Sequence, residues 1–311
     1  MIQRKKAAAN TTGHTWDDDL QELTNPLPDW WIWGFYITFV FTVVYWLFYP
    51  AWPVGNDYTK GVPGLNSITY KAKTVDGQEV EKTTHWNMRS KFMAEMNELE
   101  AQQKVFFDKV ASMGFEDVSK DADLMQFVNS AGKTLFSDNC APCHQSGGQG
   151  KVSFSPNLTD DYWMYGGSYE QIQTTITAGR HGIMPPFKNS LNDEQLTQVS
   201  SYVLSLSGEP ADPAAATAGQ AIFTGAGGCF ACHGADAKGN QFLGSANLTD
   251  KIWLWPDVLG AKTKEEKLER VKHVIAEGVN RGVMPAWANR LKPEQIKLLT
   301  VYVHDTLGGE K

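Results

Sequence analysis

The four cysteines of this 311-residue chain fall into two like arrangements, Cys140-Ala-Pro-Cys143-His144 and Cys229-Phe-Ala-Cys232-His233. C-x-x-C-H is the signature by which a haem is covalently attached. On a helical turn, residues three apart share a face, so two thiols reach the two vinyl groups on one haem edge and the adjacent imidazole meets the iron. Two such segments predict two covalently bound haem c groups, attached through Cys140, Cys143, Cys229 and Cys232, with His144 and His233 as proximal ligands. The chemistry they support is electron transfer. Because the haem motifs claim every thiol, no disulfide framework is expected. The His after each pair, and the lack of a strand-helix redox context, argue against a zinc knuckle or a thioredoxin-like pair.

A thioether opposite each imidazole raises the reduction potential and leaves no position for oxygen or peroxide. Met184 and Met284 are the distal ligands this reading selects. Each follows Gly-x and precedes a proline that pins the loop, a duplicated setting the other methionines lack. His181 is the rival for the first haem, but it has no counterpart in the second unit and reads as a loop histidine near a propionate, as do Arg180 and Arg281. His273 and His304, on predicted helices, read as surface groups. Met93 and Met96 read as packing residues.

The elements that must position these groups recur along the chain. Gly132-x-x-x-Phe136 precedes the first haem motif and Gly219-x-x-x-Phe223 the second. Asn157-Leu-Thr-Asp160 with Trp163 recurs 90 residues on as Asn247-Leu-Thr-Asp250 with Trp253, and the Met184 and Met284 loops are 100 apart. Such self-similarity marks a tandem repeat. The second unit therefore carries a longer loop, whose charged run from Lys262 to Arg270 reads as a solvated helix face. Each unit reads as helix, haem-binding turn, loop, short helix, Met loop and terminal helix. Gly132 and Gly219 would let the first helix approach the last, with Tyr202 or Tyr302 filling the crossing. The segment from Gly208 to Thr217, stiffened by Pro210 and Pro213, reads as the linker that keeps the haems close. Both Asn-Leu-Thr sequences match a glycosylation sequon, yet their place in a repeat favours a loop-structuring role.

Upstream lies a segment suited to another solvent. From Trp30 to Tyr49 there are twenty residues without a charge, enough at about 1.5 Å per residue to span a hydrocarbon core of roughly 30 Å. Trp30, Trp31 and Trp33 crowd one end and Tyr45, Trp46, Tyr49 and Trp52 the other, as in an aromatic belt. The run starts too late and is too long for a cleaved signal peptide. It is read as a retained anchor. Basic residues flank it almost evenly, so charge does not orient it. The outer-face attachment of c-type haem makes the C-terminal bulk periplasmic and the N-terminus cytoplasmic. Asp17 to Asp19 read as a solvated charge run. Beyond the anchor, alternation around Asp76-Gly77 predicts a short hairpin, and residues from about Asn87 to Met113 an amphipathic helix. The net charge of −7 argues against nucleic acid and for basic soluble partners.

The tandem cytochrome units, the single anchor and Asn25-Pro26-Leu27-Pro28-Asp29-Trp30-Trp31 before it resemble the CcoP (FixP) family, the di-haem subunits of cbb3-type cytochrome c oxidase. The resemblance covers nearly the entire chain, and the Asn-Pro-Leu-Pro-x-Trp-Trp run is its most specific piece. It implies an all-α fold, an N-terminal transmembrane helix followed by two tandem class I cytochrome c domains. The limits expected are 1–28 cytoplasmic, 29–53 transmembrane, 54–122 periplasmic linker, 123–208 first cytochrome domain and 209–311 second. It implies a bacterial inner-membrane subunit, without a catalytic site of its own, that relays electrons from a donor cytochrome c toward a mono-haem cytochrome c subunit. That subunit would pass them to the haem-copper catalytic subunit, which reduces oxygen and pumps protons. Some members have a further membrane helix upstream, and nothing before Asp29 reads as one. The residues alone leave two alternatives open. One is a free-standing anchored di-haem carrier or the cytochrome subunit of a periplasmic dehydrogenase; the other is a di-haem peroxidase, which the duplicated Met-Pro loops disfavour.

Overall fold

A computed structural model describes residues 10–62, 64–280 and 282–309. The described chain divides into two compact units, 1–102 and 103–311. The fold is largely helical, with the predicted anchor and tandem cytochrome segments; three short two-stranded antiparallel sheets are minor additions in the first unit.

In that unit, β1 (Thr11–Trp16) and β2 (Leu20–Leu23) form a hairpin whose turn holds Asp17 and Asp18 at positive φ. The predicted charge run is thus a turn. Helix α1 (Asp29–Phe48) has no buried residue and is long and apolar enough to cross a membrane. Its threonine hydroxyls are satisfied within the helix: Thr38 donates to Phe35 O and Thr42 to Thr38 O, each at 2.8 Å. A helix that is apolar all round and turns its threonine hydroxyls onto its own backbone suits lipid. Its last carbonyls, Leu47 O and Phe48 O, accept from Val62 N and the Asn66 amide. β3 (Pro53–Val54) pairs with β4 (Asp57–Tyr58), and β5 (Ser67–Lys73) with β6 (Glu79–His85) around the expected Asp76-Gly77 turn.

Helix α2 (Met88–Ser112) matches the predicted amphipathic helix. The spacer expected up to residue 122 ends earlier, because Val110 of α2 and Val118 of α3 (Phe115–Lys120) are wholly buried in the core of the second unit. There follow α4 (Ala122–Asn139), α5 (Ala141–His144), α6 (Tyr169–Ala178), α7 (Asp193–Leu206), α8 (Pro213–Thr224), α9 (Phe230–His233), α10 (Lys264–Glu277) and α11 (Pro293–Val301), the last running into a π-helical turn, Tyr302–Gly308. Side-chain caps start α4 at Asp121, α6 at Ser168, α7 at Asn192, α8 at Asp212 and α10 at Thr263.

These helices make two hydrophobic cores, but not one per repeat. The first core joins α4 and α6 of the first repeat to α11 and the π-helical turn of the second: Leu124, Val128, Phe136, Ile172 and Ile176 meet Ile296, Leu299 and Tyr302. The second core is built from α7, α8 and α10, with Val199 and Val203 against Phe223, Val271 and Ile275. The expectation that each unit keeps its own Met loop and terminal helix is therefore corrected. One bundle is a nearly continuous stretch from the Met184 loop to α10, and the other is assembled from the stretches that flank it. The Gly208–Thr217 segment joins α7 to α8 inside one bundle, rather than linking two, and is tied to α10 by a largely buried pair, Lys267 with Glu209, at 2.5 Å.

The glycine approaches follow the same exchange. A Cβ on Gly132 would lie 2.8 Å from Tyr302 Cβ, and one on Gly219 would lie 2.0 Å from Gln198 O and 2.9 Å from Tyr202 Cβ. Neither a carbonyl inside helix α7 nor a tyrosine Cβ can swing aside, and the overlap at Gly219 is the deeper by 0.8 Å. Gly219→Ala is therefore expected to cost about 3 kcal/mol, the top of the overpacking range, and Gly132→Ala nearer 1 kcal/mol. Thermal unfolding of the detergent-solubilised protein checks the order.

Candidate functional site

Each C-x-x-C-H segment is a single helical turn, α5 or α9, stapled at the same backbone atoms. His144 N bonds Cys140 O and His233 N bonds Cys229 O, both at 2.9 Å. Ser155 donates to Cys143 O at 2.6 Å, and Ser245 to Cys232 O at 2.5 Å. Gly150 N bonds His144 O and Gly239 N bonds His233 O. Sequence reasoning missed these serines and glycines. The signal was there, because Gly150 and Gly239 both stand six residues after their histidines.

His144 is 8% exposed and burial pushes its pKa down; the same cause lowers that of His233. His144 Nδ1 lies 3.1 Å from Pro156 O and His233 Nδ1 lies 2.8 Å from Ala246 O. A carbonyl only accepts, so Nδ1 carries the proton and Nε2 keeps its lone pair. Two neutral, oriented imidazoles are thus presented as metal ligands. Cys140 and Cys229 are half-buried, and burial raises both pKa values, that of Cys140 to about 11; Cys143 and Cys232 are exposed. The exposed thiol of each pair suits attachment chemistry, and no disulfide forms among the four.

Both histidines, all four cysteines, Met184 and Met284 line one cavity of about 910 Å³. Met284 packs on the core that holds Cys140, and Met184 on the core that holds Cys229. The cause is a crossing of two backbone stretches: Arg180 and Met284 exchange both N–H···O bonds at 2.9 Å, and so do Met184 and Val279. Beyond it, Trp287 N bonds Ile176 O and Phe187 N bonds Ile275 O. Met164 also lines the cavity, but its repeat counterpart is Leu254, so only Met184 and Met284 form a duplicated pair.

The donor set fits a haem c group in each cup: a thiol pair, a neutral imidazole and apolar walls with a thioether. An orphaned group fits as well. Trp253 Nε1 is buried, lines the cavity and has no partner among the described residues, whereas its repeat mate Trp163 donates to Gly308 O at 3.0 Å. An indole N–H of that kind would serve a propionate. Arg180 also faces the cavity, its guanidinium 4.6 Å from the Tyr165 ring centroid and its Nε donating to Thr175. Arg281 lies outside the described residues.

His181 is exposed and bonds Asn280 at 2.9 Å across the crossing. His273 is exposed on α10, as expected. His304 is not a surface group: it stacks on Tyr169, centroids 3.7 Å apart, and bonds Asp305 at 2.6 Å. Asn157 and Asn247 each accept from the backbone and hydroxyl of the threonine two residues on, in agreement with the loop-structuring reading.

Residues 8–56 match the family described as the N-terminal domain of cytochrome oxidase-cbb3, FixP, and residues 128–203 and 214–303 match cytochrome c oxidase, cbb3-type, subunit III. The cbb3-type cytochrome c oxidase subunit FixP of Azorhizobium caulinodans is 43% identical over 309 residues, covering 96% of this chain and 93% of its own. Subunit CcoP of Rubrivivax gelatinosus is 41% identical over 308 residues, covering 97% and 86%. FixP of Bradyrhizobium diazoefficiens is 40% identical over 315 residues, covering 97% and 95%.

Gly150 sits at φ +64°, and a Cβ there would lie 2.4 Å from Pro156 O, the atom that orients His144. Gly150→Ala is expected to lose haem from the first motif only. Haem-stained gels and intact mass would show one porphyrin fewer.

Proposed function

The chain belongs to the FixP/CcoP family, subunit III of cbb3-type cytochrome c oxidase, and from that membership we propose that it is the oxidase's membrane-anchored di-haem electron relay. It would take electrons from a donor cytochrome c and hand them to a mono-haem cytochrome c subunit, which serves the haem-copper subunit where oxygen is reduced and protons are pumped. The observation that carries this reading is the duplicated cup: a buried imidazole with Nδ1 fixed on a carbonyl, a thiol pair beside it and a Met-Pro loop in the same core.

In this reading Cys140 and Cys143 would hold the first haem c, with His144 as its histidine ligand, and Cys229 and Cys232 the second, with His233. The crossing supports an exchange of distal ligands, Met284 to the first site and Met184 to the second. When bound, the haems supply one-electron iron couples. The chain's own residues fix the imidazole tautomer and supply the apolar walls, and a histidine and a methionine available to each iron would leave no site for oxygen or peroxide. That set of ligands disfavours a peroxidase. Helix α1 would cross the inner membrane amid its lipid once, with everything after it in the periplasm, where c-type haem is attached.

Purification from a detergent-solubilised membrane tests the assignment: this chain is expected in a tight complex that also carries b-type haem and copper, and its isolation alone would count for a free-standing carrier. Ligand exchange has its own check. With Cys229 and Cys232 changed to Ser, so that only the first haem is attached, Met284→His is expected to lower the remaining potential, and Met184→His to leave it in place. Redox titration reads both.

A further inference from the structure

The two cups share most of their hydrogen bonds, and besides the difference between Trp163 and Trp253 one more sets them apart. In the first repeat, Asp160 Oδ1 accepts from Tyr162 N at 3.1 Å; in the second, Asp250 Oδ1 accepts from Ile252 N at 2.9 Å. The turns are equivalent, the offset is 90, and the Asn-Leu-Thr segments before them make the same bonds. Only the side chain differs. Tyr162 Oη accepts the backbone N–H of Asn247 in the other repeat at 2.9 Å. The carbonyl of that same peptide, Ala246 O, is the acceptor for His233 Nδ1. Ile252 at the matching position has no oxygen to offer Asn157 N, the amide of the peptide whose carbonyl, Pro156 O, faces His144.

We infer that Tyr162 is a positioning residue that acts through the Ala246–Asn247 peptide on His233 and makes the second haem's potential differ from the first's. An amide whose N–H donates to an oxygen carries more negative charge on its carbonyl, because bonds in a chain polarise one another. The more negative carbonyl draws the imidazole N–H harder, and a ligand held that way is more basic toward its metal. A more basic ligand favours the oxidised iron and lowers the potential. The distances agree in sign: the imidazole bond is 2.8 Å where the phenol is present and 3.1 Å where it is not. Burial raises the Tyr162 pKa to about 12, so the oxygen facing Asn247 belongs to a neutral phenol at physiological pH. Tyr162 thus couples one repeat's loop to the other repeat's iron ligand.

This inference rests on the His/Met reading above, and the test separates the two. In the solubilised complex, the c-type waves are titrated in the parent, in Tyr162→Phe, in Met184→His and in the double variant, this chain's two waves being told from that of the mono-haem subunit by their loss when Cys140 with Cys143, or Cys229 with Cys232, is changed to Ser. Phe keeps the ring and removes the acceptor. The expected result is an upward move of one wave alone, the one that Met184→His displaces. Its size is about twofold to tenfold in the electron-exchange equilibrium between the centres, the weight of one hydrogen bond, with tenfold equal to about 59 mV. The near-red methionine–iron band is expected to stay in Tyr162→Phe, as it would not if the cup had collapsed. No movement, equal movement of both waves, a fall, or movement of the wave that Met184→His leaves alone overturns the inference and leaves the ligand reading standing. Failure of Met184→His to displace either wave fails the ligand reading, and the inference falls with it.

Discussion

Four reciprocal backbone hydrogen bonds at one crossing set the arrangement of everything that carries chemistry. Arg180 with Met284, and Met184 with Val279, form two short antiparallel pairs at 2.9 Å. The strands approach so closely that a Cβ on Gly179 would lie 2.4 Å from Met284 O, and one on Gly278 would lie 2.4 Å from Met184 O; both glycines also sit at positive φ. No other residue satisfies both demands without strain. Because the chain changes bundles here, Met184 and Met284 each arrive in the core of the opposite repeat's cysteines. Neither cup is complete without chain from the other repeat.

Within each cup the physics is desolvation balanced by a few fixed polar contacts. Burial holds both imidazoles neutral, and one carbonyl per ring chooses the tautomer. Serines 155 and 245 close the carbonyls that a one-turn helix leaves open. The symmetry then stops. Trp163 has a backbone acceptor where Trp253 has none among the described residues, and a phenol stands where the other repeat has an aliphatic chain. Two cups built from the same residue types are thereby placed in unequal surroundings.

Much of this was legible in the residues. C-x-x-C-H, the Gly-x-Met-Pro loops, the apolar run and the Asp76-Gly77 turn are local patterns whose physics does not depend on partners, and they hold in the fold. The crossing was not legible for a specific reason. A repeat offers two acceptable partners of the same type at each contact, and Tyr202 and Tyr302 are equally good against Gly132; periodicity cannot tell which is taken. The core contribution of Val110 and Val118 was hidden likewise, because their partners lie far along the chain. His304 looked exposed from its helix position, yet Tyr169, 135 residues earlier, covers it. The first hairpin was masked by its own turn, since Asp17 to Asp19 read as charge rather than as residues tolerant of positive φ.

An exchanged fold also answers a mechanical need. Two cytochrome domains strung on a flexible connection would let the distance between their cofactors vary, with the spread of a chain of that length. Here the Pro210 and Pro213 segment is a turn inside one bundle, and the bundles are joined instead by two backbone stretches paired at two bridges and by the contact of one repeat's loop with the other's. Ser153 N reaches Leu254 O and Asn247 N reaches Tyr162 across that joint, so the cups share a wall rather than face each other over solvent. Separating them would break the crossing bonds and expose both Met loops at once. Local opening of one cup is therefore coupled to opening of the other, and the geometry between the two cups is as stable as the cores themselves.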